Sequence, residues 1–272
     1  NATLTGNAEV TQGNGQVKGD KIAAQLYDDR AIKSASVLGN ANARQVTDTR
    51  ITTVTGPEIL VNWNNDRLLS KADAIGLSTV RVEPVGQADY SSINLKAGEA
   101  LHLAFNAAGL LSEARTDGRS TLTSNAVEND PNSVNRSVTA DSLKTLFYEN
   151  GSDIRQAEAV GNAELHIDPV TPGPENYKTT VNAPRFDCDF FPTGNNIRSC
   201  IGGKKTKTVR LRTIETERRG TQTLIAESLK VDFDEGSRNA SVYGATGNCK
   251  FTELDRSALA AQMTFFQADS ML

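Results

Sequence analysis

A short stretch of alternating apolar and polar residues recurs along this chain, and a repeat constrains a fold more tightly than any composition does. It reads Gly19-Asp20-Lys21-Ile22-Ala23-Ala24-Gln25-Leu26, then Ala140-Asp141-Ser142-Leu143-Lys144-Thr145-Leu146-Phe147, then Ala226-Glu227-Ser228-Leu229-Lys230-Val231-Asp232-Phe233. Weaker copies stand at Ile59-Leu60-Val61-Asn62-Trp63 and Leu101-His102-Leu103-Ala104-Phe105. Between the last apolar residues of these copies, Leu26, Trp63, Phe105, Phe147 and Phe233, the steps are 37, 42, 42 and 86, the last being two of 43. Such periods belong to stacked supersecondary units, none of which can bury its apolar face alone.

Period-two alternation places Leu229, Val231 and Phe233 on one face of a strand and Ser228, Lys230 and Asp232 on the other. Polar breaks follow at Asp28-Asp29-Arg30, Asn64-Asn65-Asp66, Glu149-Asn150-Gly151 and Asp234-Glu235-Gly236, each with the Asp, Asn or Gly of a tight turn. Second segments align as Gly6-Asn7-Ala8, Gly39-Asn40-Ala41, Gly161-Asn162-Ala163 and Gly247-Asn248-Cys249. A small residue recurs after each Gly-Asn, so Cys249 is expected to be a buried free thiol. Apolar residues do not recur at helical spacing over any long window. The expectation is an all-β body of about 15 to 20 strands, one elongated repeat over residues 1–272, with a hinge or long loop near 124–136. Residues 168–203, which hold five of the eight prolines, read as an irregular cysteine-bearing insertion.

Composition removes several functions. A net charge of −4 and a pI near 5.4 give no basic face for nucleic acid. No window approaches the ~18 apolar residues of a spanning helix. His102 and His166 stand alone between apolar neighbours and read as exposed or rim residues, so neither a metal nor a cofactor is expected. Gly202-Gly203-Lys204-Lys205-Thr206-Lys207 fails as a phosphate loop, because Lys205 stands where Ser or Thr is required. The pairs Asp187/Asp189 and Glu215/Glu217 are the only hint of glycoside chemistry, and no nucleophile, base and orienting group converge on them. Cys188 and Cys200, 12 residues apart, suit a disulfide in an oxidising compartment, two unrelated thiols being the alternative.

The run Leu4-Thr5-Gly6-Asn7-Ala8-Glu9-Val10-Thr11-Gln12, followed by Val17-Lys18-Gly19-Asp20-Lys21-Ile22, resembles the signature of the OstA-like family. That family includes the periplasmic lipopolysaccharide-transport proteins of the LptA and LptC type and the N-terminal domain of LptD. The resemblance covers most of the chain outside 168–203. It implies a β-taco or jellyroll of antiparallel strands around an apolar groove. There the acyl chains of lipopolysaccharide would be held as the lipid passes between inner and outer membranes, without catalysis. Members join end to end by strand pairing, which implies other OstA-like proteins, or a head-to-tail homo-oligomer, as partners. Periplasmic location follows, with an inner-membrane anchor in a preceding segment as one reading of a chain that begins at Asn1.

The groove would be lined by Ile22, Leu26, Ile59, Val61, Trp63, Leu101, Leu103, Phe105, Leu143, Phe147, Leu229, Val231, Phe233 and Phe251. The basic cluster Lys204, Lys205, Lys207, Arg210 and Arg212 suits headgroup phosphates, a solvated strand face being its plainer reading. A sealed β-solenoid that binds partners on its outside, as a structural or adhesive module, is the alternative function. A carbohydrate-active enzyme is a more distant one.

Overall fold

The computed structural model describes residues 1–12, 14–88, 90–127, 129–131, 133–171, 178–192, 195–203, 209–214, 221–235, 240–253 and 255–266, with backbone alone at 12, 209–214, 240–241 and 266. Among them every regular element is a strand, and all the pairings described below are antiparallel. Contacts divide the chain into two compact units, Asn1–Glu128 with Leu146–Ser152 and Asn129–Thr145 with Asp153–Leu272.

In the first unit β1 (Ala2–Gln12), β2 (Gly15–Leu26), β3 (Ile32–Val46) and β4 (Arg50–Trp63) are long and change register near their middles. The following rungs are interrupted at the same level, giving β5 (Leu69–Ile75) and β6 (Ser78–Pro84), β7 (Ser92–Ala97) and β8 (Ala100–Phe105), β9 (Leu111–Asp117) and β10 (Ser120–Asn125). Two walls result. The first runs through 2–5, 21–26, 32–38 and 58–63 into β5, β8 and β9. The second runs through 8–12, 15–19, 41–46 and 50–56 into β6, β7 and β10.

The second unit repeats this plan with β11 (Val134–Ala140), β12 (Ser142–Phe147, its last two residues counted with the first unit), β13 (Ile154–Pro169), β14 (Lys178–Phe190), β15 (Ile197–Gly202), β16 (Val209–Ile214), β17 (Thr221–Ala226), β18 (Ser228–Phe233), β19 (Ala240–Glu253) and β20 (Arg256–Phe266). Here 156–160, 185–190, β15, β18, 240–246 and 262–266 form the first wall. The second is β11, 163–169, 178–183, β16, β17, 249–253 and 256–260. Strand pairing also includes a closed ten-stranded barrel, as it can where strands that bend belong to both walls at once.

The bend has a chemical cause. At Gly6-Asn7, Gly39-Asn40, Gly161-Asn162 and Gly247-Asn248 both residues have positive φ, for example 70° and 47° at Gly39-Asn40. Glycine adopts that geometry freely and asparagine tolerates it. Each pair sits where its strand slips register. Against three of them lies the acidic residue that opens the alternating repeat. The side-chain amide of Asn40 donates to Asp20 (3.3 Å), that of Asn162 to Asp141 (3.1 Å) and that of Asn248 to Glu227 (2.6 Å). The Asp141 and Glu227 backbone N–H groups donate in return to Gly161 O (2.9 Å) and Gly247 O (3.0 Å). The two halves of the repeat thus form one hydrogen-bonded corner.

The outer ends of the rungs are also repeated. Backbone N–H groups of Arg30, Arg67, Gly109 and Gly151 close turns onto Tyr27, Asn64, Asn106 and Tyr148 at 2.9–3.1 Å, all four residues having positive φ. The Arg67 guanidinium lies 4.0 Å from the Tyr27 ring centroid, stacking one turn on the next.

Within residues 168–203 lie all of β14 and all of β15, which pair with β13, β16 and β18. Phe190 ends the missing copy of the repeat, 43 residues from both Phe147 and Phe233. Pro184 sits at the bend of β14, skipped by the ladder between Val160↔Arg185 and Ala163↔Ala183. Pro57 occupies the same place in β4. A bend residue makes no ladder hydrogen bond, so proline is tolerated there, and prolines that suggest a loop mark corners instead. Cys188 and Cys200 stand directly opposite on β14 and β15 and are joined by a disulfide. Cys249 is free and buried.

Candidate functional site

Residues opposite one another in an antiparallel ladder share a face, so the inward rows can be read across each wall. Nearest the bends of the first unit, Ile22, Val37, Ile59, Ala74 and Leu101 form one row, each buried. With Ala8, Ala41 and Ala97 of the second wall they make a single apolar cluster. The next row, Ala24, Ala35, Val61, Ala72 and Leu103, is only half-buried. Leu26, Trp63 and Phe105 lie farther out and are also half-buried. In the second unit Leu229 is buried, whereas Val231, Phe233 and Phe251 are half-buried. Leu143 and Phe147 show the same contrast. Apolar surface therefore packs dry at the bend and stays partly uncovered away from it.

Sequence alternation misses the partners from the second wall: Val17, Ala43, Val54, Val80 and Leu95, all packed on the cluster. Short patterns such as Val80-Arg81-Val82 and Ile93-Asn94-Leu95 carry the signal, but Thr and Ser dilute it. It also misses that the disulfide lies in an inward row, Cys188, Cys200, Val231, Tyr243 and Phe265. Burial pushes the Tyr243 phenol up, so it stays uncharged at neutral pH. Phe251 of the second wall meets Phe265 of the first, with ring centroids 5.7 Å apart.

The opposite faces are polar. His102 is half-buried, hydrogen-bonded through Nδ1 to Asp73 (2.6 Å) and through Nε2 to Asp117 (2.9 Å). Lys71 pairs with the other Asp73 oxygen at 2.8 Å. His166 is exposed and pairs with Glu164 at 2.6 Å. Asp187 is engaged by Arg185 at 2.6 Å and Arg198 lies 3.8 Å from Asp189. The hydrogen bond to Asp187 raises the Arg185 pKa further, and Glu158, directly opposite Asp187 in the ladder, shares that arginine at 3.0 Å. Glu215 and Glu217 lie outside the described residues, as do Lys204, Lys205 and Lys207. Arg210 and Arg212 lie in β16, their side chains outside the described set. Among the described residues no cluster of His, Cys, Asp or Glu is arranged to hold a metal ion.

Burial alone would raise the Asp73 carboxyl pKa; hydrogen bonds from Lys71 and His102 outweigh it and hold the group below its ordinary value of 3.8. A depressed pKa contributes stability above the unfolded value and loses it as pH falls through the folded one. Asp73→Asn is therefore expected to cost about 1–3 kcal/mol at pH 7 and to flatten the loss of stability below about pH 4. Urea unfolding from pH 7 to pH 2 reads both effects. An acid limb as steep as the wild type's would show that Asp73 has no part in it.

Comparison with family models, with curated proteins and with solved structures finds no match to this chain.

Proposed function

We propose that this chain is a non-enzymatic periplasmic scaffold of the OstA-like type, a β-taco whose two walls hold the acyl chains of lipopolysaccharide between inner and outer membranes. Strand pairing at its ends would join it to other proteins of that kind. One observation carries the reading: in the first unit the inward row nearest the bends, Ile22, Val37, Ile59, Ala74 and Leu101, is buried and the next row is only half-buried, so apolar side chains remain available to a ligand that cannot reach the packed apex. An acyl chain suits such a surface, because about 0.8 kcal/mol is gained per CH₂ removed from water and no directional partner is needed. A strand bent through both walls joins them along one side, so a closed ring of strand pairings is compatible with this reading.

The test is a photo-crosslinking residue at Phe105, which faces inward, compared with one at Ala104, which faces out. In cells, position 105 is expected to capture lipopolysaccharide and position 104 not. Equal yields at the two positions would defeat the reading. A second reading, a sealed module that binds partners on its outside, draws on the contact between Phe251 and Phe265, which brings the walls together at the β19–β20 end. Native mass spectrometry after gentle extraction separates the two: bound acylated lipid for the scaffold, none for the sealed module.

A further inference from the structure

We propose that the outward face of the second wall in the first unit binds an extended acidic polysaccharide, a polymer with carboxylates or sulfates among its hydroxyls. Residues that alternate with the packed Ala43, Val54, Val80 and Leu95 point away from the apolar cluster. Across β3, β4, β6, β7 and β10 the ladders align them into two rows. Nearer the bends stand Asn42, Thr55, Thr79, Lys96 and Thr121. Beyond them stand Arg44, Thr53, Arg81, Asn94 and Thr123. Every position in both rows is Thr, Asn, Arg or Lys.

The first wall of the same unit shows that an outward face of this chain does not require such a set. Its rows read Ser36, Leu60, Asp73, His102 and Arg115, then Leu38, Glu58, Ile75, Ala100 and Asp117. Apolar residues are mixed in there, and three carboxylates stand with one arginine and one histidine. On the second wall the equivalent rows hold three cations and no acid, in a chain whose net charge is −4. Arg44, Arg81 and Lys96 are exposed, while the threonines and asparagines between them are half-buried. Among the described residues neither Arg44 nor Lys96 forms an ion pair. Arg81 pairs with Glu83 at 2.9 Å, the two side chains being 54% and 41% exposed. A pair so exposed contributes little and exchanges readily for another anion.

The kind of partner follows from the chemistry of the face. Neighbouring strands lie about 4.8 Å apart and alternate residues about 6.8 Å apart along a strand, so the two rows cover roughly 20 Å by 7 Å. That footprint suits a run of several sugar rings better than a single anion. Arg44, Arg81 and Lys96 can pair with carboxylates or sulfates, and the hydroxyls and amides between them can donate to and accept from sugar hydroxyls. The two rows hold no aromatic ring on which a nucleic-acid base could stack and no apolar side chain to enter a bilayer. Because the surface lies outside the wall, its occupant does not depend on what the inside holds.

The test measures binding of the full chain at low salt to heparin and to polygalacturonate, with dextran as the uncharged polymer and phosphatidylglycerol vesicles as the anionic lipid surface. At least one acidic polymer is expected to bind tenfold or more tightly than dextran, and the triple variant Arg44→Gln, Arg81→Gln, Lys96→Gln should lose that advantage. Removing the same charge from the outward first-wall faces, by Lys21→Gln, Arg115→Gln and Lys230→Gln, should change affinity by less than about twofold. Thr53→Val with Thr79→Val keeps every charge and is expected to weaken binding about threefold or more. Urea unfolding confirms that each variant is folded, as exposed substitutions allow. No preference over dextran, or equal losses in the two triple variants, overturns the proposal. Vesicles bound as tightly as the polymer, or affinity untouched by the threonine changes, would show a surface that reads charge alone and overturn it too. Loss of lipid crosslinking at Phe105 would defeat the transport reading and leave these outcomes unchanged.

Discussion

Gly39→Ala is expected to destabilise the protein by about 2–4 kcal/mol, and Gly6→Ala by only about 1–2 kcal/mol, the cost of left-handed geometry for an alanine. Backbone angles at the two sites are alike, φ 70° and 80°, so conformational strain is common to both. Surroundings differ. A methyl group at Gly39 would lie 2.8 Å from Asp20 Cγ and 2.9 Å from its Cβ, while at Gly6 there is open space. Because the clash involves Cβ and Cγ, a rotamer change at Asp20 does not relieve it without losing the bond from Asn40. Asp20→Ala removes the Cγ and carboxylate contacts and keeps the one with Cβ, so it should relieve the clash in part: in a double-mutant cycle Gly39→Ala with Asp20→Ala is expected to cost less than the two single changes together, by about 1 kcal/mol. Urea unfolding of the four proteins decides this. Equal costs at Gly39 and Gly6 would mean that the acid does not select glycine at the corner.

The same corner shows what a sequence can and cannot display. Both halves are legible as repeated ends, and the separations of 20, 21 and 21 residues between acid and asparagine were there to be counted. Nothing local says that the two ends meet, because the contact is made between neighbouring rungs at a bend. First-wall rows such as Leu229, Val231 and Phe233 stand out because their strands alternate strongly. Second-wall strands carry Thr52, Thr53 and Thr55 around Val54, and a β-branched polar residue fits a strand without announcing which face is buried. The copy ending at Phe190 was hidden by Pro184 and Pro192, read as loop signals although Pro184 is a corner residue. The pairing of His102 is not legible in sequence because its partners Asp73 and Asp117 are 29 and 15 residues away, joined only by the register of β5, β8 and β9.

Whether the space between the walls holds lipid or simply completes a core is decided most sharply at Ala72. Its side chain lies in the half-buried row, opposite Val61 on one neighbour and Leu103 on the other. Tryptophan favours strands, so Ala72→Trp keeps the local backbone preference while placing an indole in the space between the walls. If that space receives acyl chains, the variant should fold with nearly unchanged stability and carry lipopolysaccharide at about a tenth of the wild-type level or less, a loss of roughly 1.4 kcal/mol in binding. If it is packed protein, the extra volume has nowhere to go, and overpacking should cost about 1–3 kcal/mol or more. Ala104→Trp, on the outward face of β8, adds the same indole without entering the space and serves as the control. Lipid content by native mass spectrometry and stability by urea unfolding therefore move in opposite ways under the two readings. A variant that unfolds early would identify a sealed interior and withdraw the lipid-carrier reading from this chain.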